Sequence, residues 1–187
     1  MTTKSPRTGR PRSAAARDAV LHAVDDLLVE QGYAAMTLKG IAERAGVSRQ
    51  TLYRWWSTKA EILFEASWLD AAGELAVPDS GGPATQVSAF LDGLIRFLTN
   101  SPAGAAYRAL LGEAQHDKSV AALIASRDIL GDSAATVISR TVGSSAIPIG
   151  EATARLIGPT FYWILSGRDP RQLDTSDLAD RFLVDLK

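Results

Sequence analysis

The sequence predicts an all-α protein of about nine helices. Apolar residues recur at the three-and-four spacing of amphipathic helices, and there is no convincing run of alternating β-branched residues bounded by turns. Glycine stands where several of these patterns stop, and serine or threonine stands where the next ones start. We therefore expect an N-terminal three-helix domain followed by a larger C-terminal helical bundle.

Four helices are expected before the first long loop. The first covers about residues 13–31, and the fourth opens at Thr58, which fits a capping box with Glu61. Two short helices lie between them, and Leu52 and Trp56 of the second are expected to face inward. The residues assigned to helix boundaries are Gly32 and Gly46 as stops and Thr37, Ser48 and Thr58 as N-caps.

A loop rich in proline, glycine, aspartate and serine at residues 77–83 precedes the remaining helices. Amphipathic stretches predict those helices near 84–99, 103–115, 118–141, 149–166 and 176–186. We divide the chain into a flexible basic arm at 1–12, a helix-turn-helix domain at 13–57 and a body at 58–187.

Composition narrows the function classes. Hydrophobic residues make up 46% of the chain and charged residues 22%, as in ordinary globular proteins. No stretch approaches the roughly 18 apolar residues of a membrane span, and no signal-peptide pattern is seen, so we expect no membrane partner and a cytoplasmic location. Cysteine is absent, which excludes disulfides, thiolate nucleophiles and cysteine-bound zinc.

The charge is unevenly distributed. Residues 1–62 contain ten Lys/Arg and six Asp/Glu, a net charge of +4, whereas residues 63–187 contain ten and fifteen, a net of −5. The first twelve residues include four basic residues and no acidic one. A basic arm that leads into a basic domain indicates a surface for phosphate groups, although the arm alone could also be a solubilising tail.

The segment from Thr37 to Lys59 reads TLKGIAERAGVSRQTLYRWWSTK and meets the steric needs of a helix-turn-helix. Ala42 is small where two helices must approach, and Gly46 permits the positive φ of the turn. The second helix of the motif should project Arg49, Gln50, Thr51, Tyr53 and Arg54. Arg can pair with guanine, Gln with adenine, and Thr can contact the thymine methyl group.

Residues 7–65 resemble the DNA-binding domain of TetR-family regulators. The resemblance rests on GRP at 9–11, EQGY at 30–33 and the spacing of the segment from Thr37 to Lys59. It implies that Tyr53 and Lys59 hold phosphates, that Thr37 docks the first motif helix, and that Arg49 and Gln50, with Arg54 or Trp55, approach bases. The full set of predicted DNA-binding residues is Arg10, Thr37, Lys39, Ser48, Arg49, Gln50, Thr51, Tyr53, Arg54, Trp55 and Lys59.

The same resemblance, weaker over the body, implies a helical bundle that binds a ligand and dimerises through its last two helices. Several polar and aromatic residues of this body are candidates for a pocket, although an aromatic residue at helical spacing belongs to the core more often than to a pocket. The pocket candidates are Trp68, Phe90, Phe97, Tyr107, Glu113, Gln115, His116, Tyr162 and Trp163. The candidates for the dimer interface are Leu156, Phe161, Leu165, Phe182 and Leu186.

Enzyme classes are disfavoured. Glu113 and His116 form a Glu-x-x-His pair, but a carboxylate-bridged metal centre needs two such pairs. His22 with Asp25 or Asp26 is interpreted as a surface cluster. The chain has no glycine-rich phosphate loop and no nucleophile elbow, so we expect no catalytic residue, metal or cofactor.

Together these observations predict a homodimeric regulator that binds a palindromic operator in double-stranded DNA. The favoured mechanism is repression, with release by a small-molecule effector of unknown identity. The alternatives are an activator or ligand-independent regulator with the same DNA-binding domain, and an all-α enzyme or adaptor. Salt-dependent DNA binding separates the last of these from the regulators.

Overall fold

The structure is a computed structural model that describes residues 10–143 and 147–186, with side chains from Ala14 onward. Ten α-helices and one short 3-10 helix, with no strand, make up the regular structure of these residues. The helices are α1 (Arg10–Ala35), α2 (Leu38–Arg44), α3 (Arg49–Tyr53), α4 (Lys59–Glu74), α5 (Pro83–Asn100), α6 (Pro102–Ala114), α7 (Lys118–Ala125), α8 (Ile129–Val142), α9 (Ile149–Leu165) and α10 (Thr175–Asp185). The all-α prediction is confirmed.

The predicted N-cap residues of the N-terminal helices are the N-caps that the structure shows. Thr37, Ser48 and Thr58 each accept a backbone N–H from the first turn of the helix that they cap. The helical path of α1 is broken at Gly32, whose φ of 75° favours glycine. Glu61 departs slightly from the capping box, because its carboxylate accepts the N–H of Ser57, not that of Thr58.

Two boundaries differ from the prediction. Helix α1 begins at Arg10 instead of residue 13, since proline is tolerated in a first turn, where the missing N–H would have no helical partner. The predicted arm therefore reaches into α1, and its residues 1–9 lie outside the described part of the chain. The stretch at 118–141 forms two helices, because Asp128 caps α8 by accepting the Gly131 N–H at 2.9 Å.

Helix α4 connects the two parts of the molecule. It packs on α1 and also on α6, α7 and α8 of the body. Its residues Ile62, Leu63 and Ala66 are buried, and the core continues from them into α5 through Phe90 and Phe97. A displacement of α4 would therefore move the N-terminal helices relative to the body.

Asp25 lies near His22 and Asp26, as the predicted cluster requires, but it is less exposed than they are because it faces Asp70 on α4. The side chain is half-buried, and its Oδ1 is buried without a hydrogen-bond partner. Burial, followed by the negative charge of Asp70 on α4, raises the pKa of Asp25 to about 6. The charged carboxylate is therefore disfavoured in the folded protein.

We expect Asp25→Asn to stabilise the protein near pH 7.5. The pKa of Asp25 is higher in the folded than in the unfolded chain, so its contribution to stability falls as the pH rises from about 4 to about 6 and stays low above that. Thermal unfolding should show a gain in Tm at pH 7.5 that vanishes at pH 4. Asp18→Asn, an exposed substitution on the same helix, should show no such pH-dependent gain.

Candidate DNA-binding surface

The turn between α2 and α3 has the geometry that the sequence predicted. Gly46 adopts a φ of 65°, and the N–H of Val47 donates to the carbonyl of Ala42 at 3.0 Å. Ala42 and Leu52 are buried between the helices. The angle between α2 and α3 is thus fixed by local packing, and it determines which side of α3 faces outward.

Helix α3 presents polar side chains to solvent. Arg49, Gln50 and Tyr53 are exposed, and no described residue forms a side-chain hydrogen bond or ion pair with them. Tyr53 is exposed over 55% of its surface, which is high for a large aromatic residue. This surface is free to form hydrogen bonds with another molecule.

The two adjacent indoles differ as expected. Trp56 is buried and donates its Nε1–H to Glu65 on α4 at 2.9 Å, which confirms its predicted place in the core. Trp55 is half-buried, and its ring meets that of Trp56 edge-on at 5.5 Å. Arg54 lies over Trp55, with its guanidinium carbon 5.3 Å from the ring centroid. The segment after α3 is therefore anchored to α4.

The hydroxyl candidates are occupied by helix capping. Thr37 Oγ1 accepts the Gly40 N–H at 3.0 Å, and Ser48 Oγ accepts the Thr51 N–H at 3.1 Å. Thr51 Oγ1 lies 2.9 Å from Ser48 Oγ. These hydroxyls order the first turns of α2 and α3 by accepting the N–H groups of Gly40 and Thr51, and only the other first-turn N–H groups remain available to an anion. Lys39 is exposed and lies 3.7 Å from Glu43.

Lys59 is arranged differently from the phosphate contact that the resemblance implied. Its ammonium donates to the carbonyls of Tyr33 at 2.7 Å and Met36 at 3.1 Å, and it lies 4.1 Å from the Tyr33 ring centroid. A cation is attracted there because the carbonyls at the end of a helix lack helical partners. In this structure Lys59 joins the end of α1 to the start of α4.

Arg44, on α2, does not belong to this surface, because its side chain is paired with α1. Its guanidinium forms a two-pronged ion pair with Glu30 on α1, and it lies 3.6 Å from Asp26. The hydrogen bond from Arg44 lowers the pKa of Glu30.

Arg10 begins α1, but its side chain lies outside the described residues.

Comparison with known proteins agrees with the geometry of this surface. The sequence model of the bacterial regulatory proteins of the tetR family matches residues 20–66, which include α2, the turn and α3. Residues 20–66 are therefore similar to the DNA-binding domain of the TetR family, and they contain the helix-turn-helix of that domain.

Relatives extend the likeness beyond the motif. The chain is 40% identical over 115 residues to the HTH-type transcriptional regulator YdeS of Bacillus subtilis, and 31% identical over 113 residues to the DNA-binding transcriptional repressor TetR of Mycobacteroides abscessus. These matches cover 62% and 60% of this chain but only 58% and 57% of the relatives. Both relatives are named as regulators, and neither name is that of an enzyme.

A solved structure shares the whole architecture. The TetR family transcription regulator SCO0332 aligns with a TM-score of 0.72 and 27% identity, over 92% of this chain and 98% of its own. The body of the chain therefore shares the helical fold of that structure. None of its described helices is long and apolar enough to cross a membrane.

The body does not bring all the predicted pocket residues together. Phe90, Phe97 and Tyr107 are buried in the core, where the rings of Phe97 and Tyr107 pack at 6.3 Å. The other candidates are spread over the surface of several helices. Glu113 is half-buried near the end of α6, and Gln115 and His116 follow it and are exposed. On α9, Tyr162 is exposed, and Trp163 is half-buried and donates its Nε1–H to the carbonyl of Asp169. Trp68 lines a cavity of about 360 Å³ that none of the other candidates lines.

The dimer candidates divide into two groups. Leu156, Phe182 and Leu186 are buried inside the single chain, so the prediction that they meet a second copy is wrong for their side chains. They belong to the core of the single chain, in which α10 packs on α5 and α9 packs on α8 and α5. Phe161 is half-buried and Leu165 is exposed, so both remain candidates. Pro159, which lies inside the apolar pattern of α9, is exposed as well.

Proposed function

We propose that this protein is a homodimeric repressor that binds a palindromic operator and is released by a small-molecule effector. The observation that carries the proposal is the outward presentation of Arg49, Gln50 and Tyr53 on α3. A helix that is held by its cap and its buried Leu52, and that keeps its long polar side chains free, can enter a major groove.

The proposed contacts with DNA follow from the chemistry of α3. Arg49 and Gln50 have the donor and acceptor groups that read guanine and adenine, and each well-formed pair discriminates by about 1–3 kcal/mol. Tyr53 and the first-turn N–H groups of α2 and α3 are placed to hold phosphates. Arg54 and Trp55, which stack on each other, are assigned to the periphery of the contact with DNA. Lys39 on α2 and Arg10 at the start of α1 are assigned to the same periphery.

An exposed apolar face on α9 supports the dimer. Pro159, Tyr162 and Leu165 recur at three-residue spacing, and all three are exposed. Tyr162 is exposed over 62% of its surface and Leu165 over 47%. A second copy that packs on this face would bury them, and the two-fold axis would present both α3 helices to one duplex.

Helix α4 is the proposed route from effector to DNA. It contacts α1 and the segment after α3, and it also contacts α6 and α8 of the body. Two recognition helices must lie about 34–36 Å apart to enter successive major grooves. An effector that binds better to a geometry with a different spacing lowers DNA affinity, and DNA lowers effector affinity by the same factor.

Selection of bound fragments from random DNA tests the proposal. We expect enrichment of an inverted repeat whose half-sites are centred one helical turn apart, about 10 base pairs. Binding to the selected DNA should weaken steeply with salt, because phosphate contacts release counterions. Enrichment of a single unrepeated half-site would contradict the dimer, and no enrichment at all would contradict sequence-specific binding.

A further inference from the structure

A cavity of about 360 Å³ lies at the junction between the DNA-binding helices and the body. Residues from three places form its wall: Arg17 on α1, Trp55 and Trp56 after α3, and a set from the body. The body contributes Glu61, Phe64, Glu65, Trp68, Leu123 and Arg127. The volume falls in the range of small-molecule sites, and three of the four tryptophans of the chain line it.

Most of the charged groups in this wall already have partners. Arg17 forms an ion pair with Glu65 Oε1 at 2.5 Å, and the other oxygen of Glu65 accepts the Trp56 Nε1–H. Glu61 accepts the Ser57 N–H at 2.6 Å and lies in the first turn of α4, where a negative charge is favoured. These contacts hold the carboxylates in place as parts of the wall.

Arg127 is the exception within the described part of the chain. Its guanidinium carbon lies 3.9 Å from the Trp68 ring centroid, and no described carboxylate pairs with it. The indole N–H groups of Trp55 and Trp68 likewise have no hydrogen-bond acceptor among the described residues. The wall therefore contains the guanidinium of Arg127, which is stacked on Trp68, and the indole N–H groups of Trp55 and Trp68.

We infer that this cavity binds a planar aromatic carboxylate. The carboxylate would accept hydrogen bonds from the Arg127 guanidinium, whose planar donors match a carboxylate in two-pronged fashion. The aromatic ring would lie against the indoles of Trp55 and Trp68, where stacking is favourable. A neutral or cationic ligand of the same shape would leave Arg127 unpaired.

The position of the cavity gives its occupant a direct effect on DNA binding, and this consequence rests on the proposed function. Trp55 and Trp56 directly follow α3, and Arg127 lies in the break between α7 and α8. A ligand held between them therefore contacts both the segment that carries α3 and the body. Its affinity depends on how α3 is placed relative to the body.

Calorimetric titration of the DNA-free full chain tests the site with two probes, 2-naphthoate and its neutral counterpart 2-naphthamide. We expect 2-naphthoate to bind about tenfold more tightly, since a hydrogen bond to a charged group is stronger than a neutral one. Arg127→Gln should remove this preference, and the matched substitution Arg96→Gln on the exposed side of α5 should retain it. Trp68→Leu should weaken both probes, whereas Trp163→Leu, on α9, should leave both unchanged.

The proposal is overturned if 2-naphthoate fails to bind at 1 mM, if the two probes bind equally, or if Arg127→Gln keeps the preference for the carboxylate. Binding to selected DNA, measured separately without probe, tests the proposed function. DNA binding by a protein that does not take up 2-naphthoate would overturn the site alone. Uptake that depends on Arg127, in a protein that does not bind DNA, would uphold the site and contradict the regulator.

Discussion

Leu165→Arg is expected to give a folded monomer that binds selected operator DNA at least 100-fold more weakly than the unmodified protein. Leu165 is exposed on α9 in the single chain, so an arginine there meets solvent and costs little. In the proposed dimer the same side chain would place a charge in a buried apolar contact, at a cost of about 3 kcal/mol or more. The measurements are sedimentation velocity at micromolar concentration and titration of a labelled operator.

Leu69→Arg provides a matched control, because Leu69 on α4 is exposed to a similar degree. Both variants add one positive charge, so any general increase in attraction to DNA is the same. The control should remain dimeric and keep its operator affinity. A dimeric Leu165→Arg protein would show that the two-fold contact lies elsewhere on the surface.

Gly104→Ala is expected to destabilise the protein by about 3 kcal/mol or more. A Cβ at residue 104 would lie 1.7 Å from the carbonyl oxygen of Phe97 and 2.6 Å from its carbonyl carbon. These are backbone atoms of α5, so α5 and α6 would have to separate where both are buried, and such overpacking typically costs 1–3 kcal/mol or more. Urea unfolding followed by circular dichroism measures the change in free energy of unfolding.

Gly112→Ala in the same helix should have the opposite sign. A Cβ at residue 112 would meet no atom within 4 Å, and alanine is favoured over glycine in a helix by about 0.5–1 kcal/mol. A tolerated Gly104→Ala would mean that α5 and α6 are less closely packed than the structure shows. The pair of variants therefore separates a steric effect from helix propensity.

The sequence predicted the N-terminal helices in detail because their boundaries depend on short-range contacts. Thr37, Ser48 and Thr58 cap helices through hydrogen bonds to the third residue that follows, and Gly46 is needed for a turn within its own neighbourhood. Asp128 and Gly131 are an equally local signal for the start of α8. The apolar pattern continues across this signal and therefore suggests one long helix instead of α7 and α8.

The body was harder to interpret, because an amphipathic pattern shows which face of a helix is apolar but not what covers that face. Phe182 and Leu165 look alike in sequence, yet the first is buried in the chain and the second is exposed. Lys59 illustrates the same limit for a charged residue. Whether its ammonium meets a phosphate or the carbonyls of Tyr33 and Met36 depends on how α4 approaches α1, which no local pattern records.

The placement of α3 in the major groove is tested most directly by titrating the Arg49→Ala protein against the selected operator and against a scrambled duplex of the same length. If Arg49 contacts a base in the major groove, the variant should bind the operator about 5- to 150-fold more weakly, which corresponds to about 1–3 kcal/mol. Its affinity for the scrambled duplex should fall much less. Arg96→Ala, which removes an exposed arginine from α5, should change neither. An Arg49→Ala protein that keeps its preference for the operator would contradict the placement of α3 in the major groove.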